Sequence, residues 1–81
     1  MTEQDAVLTV VRSAVQAVAP AIELTDDLPL IRERIIDSLS LLQVVATLER
    51  DLGLHIRDRD IQPSNFETIR AIRAFLASKD C

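Results

Sequence analysis

Apolar residues recur every three or four positions over residues 3 to 19, at Val7, Val10, Val11, Ala14, Val15 and Val18, the spacing that gathers side chains on one buried helix face. Pro20 stops that helix or lies just past it. The following AIELTDDLPLIRERII carries Ile22, Leu24, Leu28, Leu30, Ile31, Ile35 and Ile36 without a helical period, and Pro29 interrupts any long helix. It reads as a long ordered connection pinned by those hydrophobes, with room for a short helical turn. From Ser38 to about Asp51 the period returns. Leu41, Leu42, Val44, Val45, Leu48 and Leu52 form a wide apolar stripe, and Gly53 follows as a C-terminal stop that enters the left-handed conformation without a Cβ penalty.

Beyond Gly53, Leu54, Ile56 and Ile61 are candidate anchors in a segment with a possible short helix around Arg59 to Gln62. Pro63 with Ser64 and Asn65 predicts a turn. A last helix should begin between Asn65 and Thr68 and run to about Ser78. Ile69, Ile72, Phe75 and Leu76 face inward in this reading, and Arg70, Arg73 and Lys79 outward. The expectation is an all-α protein in which three main helices, with a short one before the last, form a small bundle.

Composition agrees with that pattern. Of 81 residues 48% are hydrophobic, yet only two are Phe and none is Tyr or Trp, so the core must come from Leu, Ile, Val and Ala. A chain of this length is expected to form a single domain over residues 1–81. The formal net charge is −4; with no basic run and no interleaved aromatics, nucleic acid is not an expected partner. No apolar stretch is long enough to span a bilayer, and MTEQDAV lacks the basic region of a signal peptide, so no membrane association and a cytoplasmic location are expected. Cys81, the single cysteine, admits no intrachain disulfide and reads as an exposed thiol.

Few residues offer catalysis. His55 is the one histidine and reads as an exposed side chain between buried Leu54 and Ile56. One glycine permits no phosphate loop, and no His, Cys or Glu group has metal-ligand spacing. The arginines at 32, 34, 57, 59, 70 and 73 read as a solvated surface. Asp37 and Ser38 suit a helix start, where side-chain oxygens accept from orphan backbone N–H groups. A phosphate on Ser38 would meet the positive end of the helix dipole. Leu39, with Ile35 and Ile36, would anchor the backbone against the core and leave Ser38 turned to solvent.

The segment IIDSLSLLQVVATLERDLGLHI resembles the acyl and peptidyl carrier proteins. Their hallmark is Asp-Ser-Leu at the start of the second helix, here Asp37-Ser38-Leu39, followed by a Leu-Glu/Gly/Ile ending, here Leu48-Glu49 through Gly53 to Ile56. DRDIQPSNFETIRAIRAFL resembles the third-helix region and the start of the fourth helix. A lone Asp-Ser-Leu carries little weight; its agreement with the helix boundary, the ending and the chain length carries the resemblance.

The resemblance implies a freestanding four-helix carrier, monomeric and non-catalytic, with phosphopantetheine covalently attached to Ser38. Attachment would be made by a phosphopantetheinyl transferase using coenzyme A and Mg²⁺, with Asp37 assisting. The arm's thiol would hold an acyl or aminoacyl intermediate as a thioester. An adenylating ligase or acyltransferase would load it, and condensing or tailoring enzymes would use it downstream. Leu39, Leu42 and Ala46 are the expected partner contacts.

Two departures shape the reading. Carriers often have a glycine two or three residues before the Asp; this chain has Arg34-Ile35-Ile36, so the connection into the helix should be less flexible or differently turned. Ser40 and Gln43 stand where fatty-acid carriers commonly have acids. This favours secondary-metabolite biosynthesis, polyketide or nonribosomal peptide, over fatty-acid synthesis. The competing readings are a carrier for fatty-acid or D-alanyl transfer, a helical interaction module in which Ser38 is only a cap, and an esterase built on His55.

Overall fold

The computed structural model of the chain describes residues 3–79, with side chains from residue 6 onward; Cys81 lies outside the described residues. Three α-helices, α1 (Glu3–Val18), α2 (Ser38–Leu52) and α3 (Ile69–Lys79), are joined without any strand among the described residues. The all-α expectation therefore holds. α1 packs against both α2 and α3. Its Val11, Ala14 and Val15 meet Val44, Val45 and Leu48 of α2 and Ile69, Ile72 and Leu76 of α3 in one buried cluster, completed by Leu24, Leu30, Ile36, Ile56 and Phe66. No described helix is long and apolar enough to cross a membrane.

The short helix expected before α3 takes a different form. Two separate 3-10 turns, Asp58–Asp60 and Pro63–Asn65, stand in its place. Pro63 restricts Gln62 to extended backbone (φ −118°, ψ 146°), so one continuous helix cannot run through the pair. Asn65 Nδ2 donates to the Asp60 carbonyl at 2.8 Å and ties the two turns together. They deliver Phe66 into the core with no exposed surface, 5.6 Å from Phe75 between ring centroids and tilted by 53°.

The connection from residue 19 to 37 is ordered as expected, but not by every hydrophobe in it. Ile22 remains 38% exposed, because the Ile22 N–H donates to the Ala19 carbonyl and closes a turn around Pro20 that points away from the core. Arg12 of α1 holds the next stretch: Nη1 donates to the Leu24 carbonyl at 3.1 Å and Nη2 pairs with the Asp26 carboxylate. Farther on, the Leu30 N–H donates to the Glu67 carbonyl at 2.8 Å, and the Arg70 N–H donates to the Asp26 carbonyl at 3.0 Å. The second bond gives one of α3's orphan N-terminal donors a partner. Thr68 supplies another, accepting the Ala71 N–H on Oγ1 at 2.9 Å.

Residues 29–35 form a single helical turn. Glu33 N–H donates to the Pro29 carbonyl, Arg34 N–H to Ile31, and Ile35 N–H to Leu30. The last two bonds are the paired closure of a Schellman motif, whose left-handed position usually holds glycine. Here Arg34 holds it, with φ 58°, the one non-glycine residue at positive φ among those described. The glycine absent from the sequence is thus replaced in conformation by an arginine, three residues before Asp37.

One surface assignment changes, at Lys79, while Arg70 and Arg32 stay exposed as expected and face surface carboxylates. Lys79 is not directed freely outward: its Nζ donates to Asp60 Oδ2 at 3.0 Å and lies 5.9 Å from the Phe75 ring centroid. Arg70 makes a two-pronged pair with Asp27, at 2.7 and 3.2 Å, and Arg32 faces Glu67 at 3.7 Å.

Phe66→Ala should lower the unfolding free energy by about 3–5 kcal/mol, whereas Ile22→Ala should change it by less than about 0.5 kcal/mol; urea unfolding of both variants measures the contrast. Arg34→Gly should raise it by about 0.5–1 kcal/mol, since relief of the left-handed Cβ penalty exceeds the added freedom of the unfolded chain. Arg34→Val, β-branched in the same conformation, should lower it.

Candidate functional site

The site is the junction between the connection and α2. Ile36 is buried and Ile35 half-buried, so the backbone immediately upstream is seated on the core. Asp37 is extended (φ −100°, ψ −173°) and caps the helix: Oδ1 accepts the Ser40 N–H at 2.8 Å and the Asp37 carbonyl accepts the Leu41 N–H at 2.8 Å. The cap is therefore Asp37, and Ser38 is the first helical residue. The Asp37 carboxyl is held below the usual aspartate range, chiefly by the Ser40 backbone N–H and next by the Ser40 hydroxyl. It is ionised at neutral pH.

Ser38 is exposed, and no hydrogen bond among the described residues engages its hydroxyl. Ser40, two residues on, is half-buried and interacts with Asp37. A fixed backbone with a hydroxyl free of internal bonds fits covalent attachment of a group delivered from outside. An ionised carboxylate precedes it, and the helix N-terminus lies under it.

Leu39 does not anchor the junction to the core. It is 68% exposed, and Leu42, expected in the buried stripe, is 55% exposed. Ala46 is exposed as well. The spacing of three and four places Leu39, Leu42 and Ala46 on one outer face, while Val44, Val45 and Leu48 take the inner one. No charged residue occurs between Ser38 and Leu48, so this face is uncharged as well as apolar.

The far end of α2 is shaped by the ending that the sequence singled out. Gly53 adopts φ 63° and ψ 37°, turning the chain back so that Glu49 Oε2 accepts the Ile56 N–H at 2.8 Å. Ile56 is buried by this return. His55 is exposed, as expected, with Nδ1 3.3 Å from Glu49 Oε2. The 15-residue length of α2 keeps it roughly 20 Å from Ser38, and the two are not brought together as a nucleophile and base. Among the described residues no three His, Cys, Asp or Glu gather as metal ligands.

Sequence reasoning missed Arg12, Ser40 and the conformation of Arg34. The missing glycine was a signal for Arg34, because a residue filling a glycine position must adopt its dihedrals. For Arg12 the signal was slight: the one cation in a helix whose other charged residues, Glu3 and Asp5, are acidic.

Acid should loosen this junction. Asp37, Asp27 and Asp60 all have folded pKa values below those of the unfolded chain, through Ser40, Arg70 and Lys79 respectively. Their stabilisation is fully present above the unfolded carboxylate value near about 3.9 and is lost as pH falls through the lower folded values. Thermal melts should show it as a fall in Tm below about pH 4. Asp37→Asn, which keeps an amide oxygen for the cap, should have a shallower acid limb than the native chain; an identical limb would remove Asp37 from the account.

No curated protein and no solved structure matches the chain significantly. The family model described as "Phosphopantetheine attachment site" matches residues 5–76, from the first turn of α1 into the last turns of α3, with the α2 junction inside the match. This family carries phosphopantetheine covalently on a serine and generally acts as a non-catalytic carrier that works with phosphopantetheinyl transferases and with loading and processing enzymes. Its small helical bundle is the architecture found here, and the chain belongs to the phosphopantetheine-binding acyl and peptidyl carrier protein family.

Proposed function

We propose that Ser38 is the attachment residue, and that residues 1–81 act as one non-catalytic carrier domain, monomeric, in secondary-metabolite biosynthesis. The observation that carries the assignment is local: Ser38 directly follows an ionised cap, begins a helix seated on the core, and has an unengaged, exposed hydroxyl. In attachment the Ser38 oxygen bonds to the phosphorus nearest the pantetheine end of coenzyme A. The nucleotide half leaves with the bridging oxygen, and the serine proton passes to a base of the transferase. Asp37, the residue before Ser38, would assist by offering its ionised carboxylate to the transferase's Mg²⁺. When present, the arm offers a thiol on which acyl or aminoacyl cargo is held as a thioester.

Recognition falls to the uncharged face. Leu39, Leu42 and Ala46 offer apolar contact beside the attachment point and no carboxylates for a basic patch to read. That supports partners other than those of fatty-acid synthesis: an adenylating ligase or acyltransferase that loads the arm, and condensing or tailoring enzymes that use it.

Purified protein incubated with coenzyme A, Mg²⁺ and a promiscuous phosphopantetheinyl transferase should gain the mass of one phosphopantetheine. Ser38→Ala should gain none, and Ser40→Ala should gain it as the native chain does. No gain by the native chain, or equal gain by Ser38→Ala, would sink the assignment and leave the exposed leucines to a helical interaction module.

A further inference from the structure

The left-handed Arg34 is an expensive choice for a position that a glycine would fill without strain. Arginine there carries a penalty of roughly 1–2 kcal/mol from the Cβ, and nothing among the described residues compensates it: the side chain is exposed, and no hydrogen bond or ion pair from those residues engages it. Strain retained without an internal partner points to a use for the side chain outside the apo fold. We propose that Arg34 holds the phosphodiester formed at Ser38, an inference that rests on the reading of Ser38 as the attachment residue.

The electrostatics of the junction favour such a cation in addition to the helix dipole. Attachment adds one negative charge next to the ionised Asp37, with Glu33 also close in the chain. The Ser40 N–H that could meet an anion is already taken by Asp37. Other cations are committed or distant. Arg12 pairs with Asp26, Arg70 with Asp27, and Arg32 faces Glu67. Arg57 and Arg59 follow the opposite end of α2.

Arg34 precedes Ser38 by four residues, a backbone span of at most about 14 Å even if fully extended. An arginine side chain and a phosphorylated serine side chain close a gap of that order between them. The planar guanidinium suits two phosphate oxygens at once. An acidic partner surface is a poorer occupant, because it would meet Glu33 and Asp37 at the same place. A single phosphodiester needs only the one cation.

The test compares Tm before and after complete modification, confirmed by intact mass, for the native chain, Arg34→Gln and Arg34→Lys at low salt. Modification should lower Tm by about 2–4 °C more in Arg34→Gln than in the native chain, the size expected of an exposed ion pair in a domain this small. Arg34→Lys, which keeps the charge but not the two-pronged fork, should fall between the native chain and Arg34→Gln. The difference should vanish in about 1 M salt, where the Debye length is about 3 Å. If Arg34→Gln fails to fold, Arg34→Gly, which relieves the strain, serves in its place with the same expected shift. Equal Tm changes on modification in the native chain and in the uncharged variant overturn the role of Arg34. A native chain that gains no phosphopantetheine, or a Ser38→Ala variant that gains it, instead overturns the attachment reading beneath it.

Discussion

The Leu30 peptide unit is the point on which the site depends. Its side chain is wholly buried, its N–H donates to the Glu67 carbonyl, and its own carbonyl accepts from both Ile35 and Ile36. One residue thereby fixes the connection to the N-terminal approach of α3 and sets where that connection turns into α2. In a long segment with few helical bonds, backbone groups buried without partners would each destabilise by about 1–3 kcal/mol. Leu30 leaves neither of its groups without one. Displacing it would move Asp37 and Ser38 together, because only the short Schellman closure separates them from it.

Hydrophobic burial gives the bundle its stability, and the ion pairs contribute orientation. Arg70 with Asp27, Arg32 with Glu67 and Arg50 with Asp51 are all largely solvent-exposed, a setting in which such pairs contribute little net free energy. Arg12 differs in kind, since its guanidinium serves a backbone carbonyl as well as Asp26. It secures a stretch where Leu24 alone is buried among several exposed neighbours. Lys79 likewise joins the end of α3 to the first 3-10 turn, where its charge also suits the negative end of the helix dipole.

The helices were legible because period is a property of the sequence: Val11, Ala14 and Val15, or Ile69, Ile72 and Leu76, repeat at helical spacing wherever the rest of the chain goes. Gly53 as a stop was equally legible, since φ 63° strongly favours glycine. Leu39 and Leu42 were harder. Hydrophobicity suggests burial, but α2 has apolar residues over more of its circumference than α1 and α3 can cover, and only the packing shows which side is left over. The turn chemistry around Pro63 was legible as a break but not as two separate 3-10 turns, which depend on Asn65 reaching back to Asp60. Ser38 stands out by its neighbours in sequence, whereas its freedom from internal hydrogen bonds is a matter of geometry: Asp37, one residue earlier, does the capping.

That division of labour bears on how such a carrier can be recognised. A serine that capped its own helix would have to surrender that bond on modification, coupling attachment to fraying of the first turn. With Asp37 as cap, Ser38 can be modified while the helix start keeps its hydrogen bonds. The outer face beyond it then presents the same apolar side chains whether or not the serine is modified. Because that face is uncharged, it lacks the long-range steering that complementary charge gives to association. If partners dock there, as proposed, discrimination between them would rest on close fit to Leu39, Leu42 and Ala46, at distances where a methyl group matters more than a net charge. The charges near the proposed attachment point are confined to the few residues between Arg32 and Asp37, where modification of Ser38 would add one more.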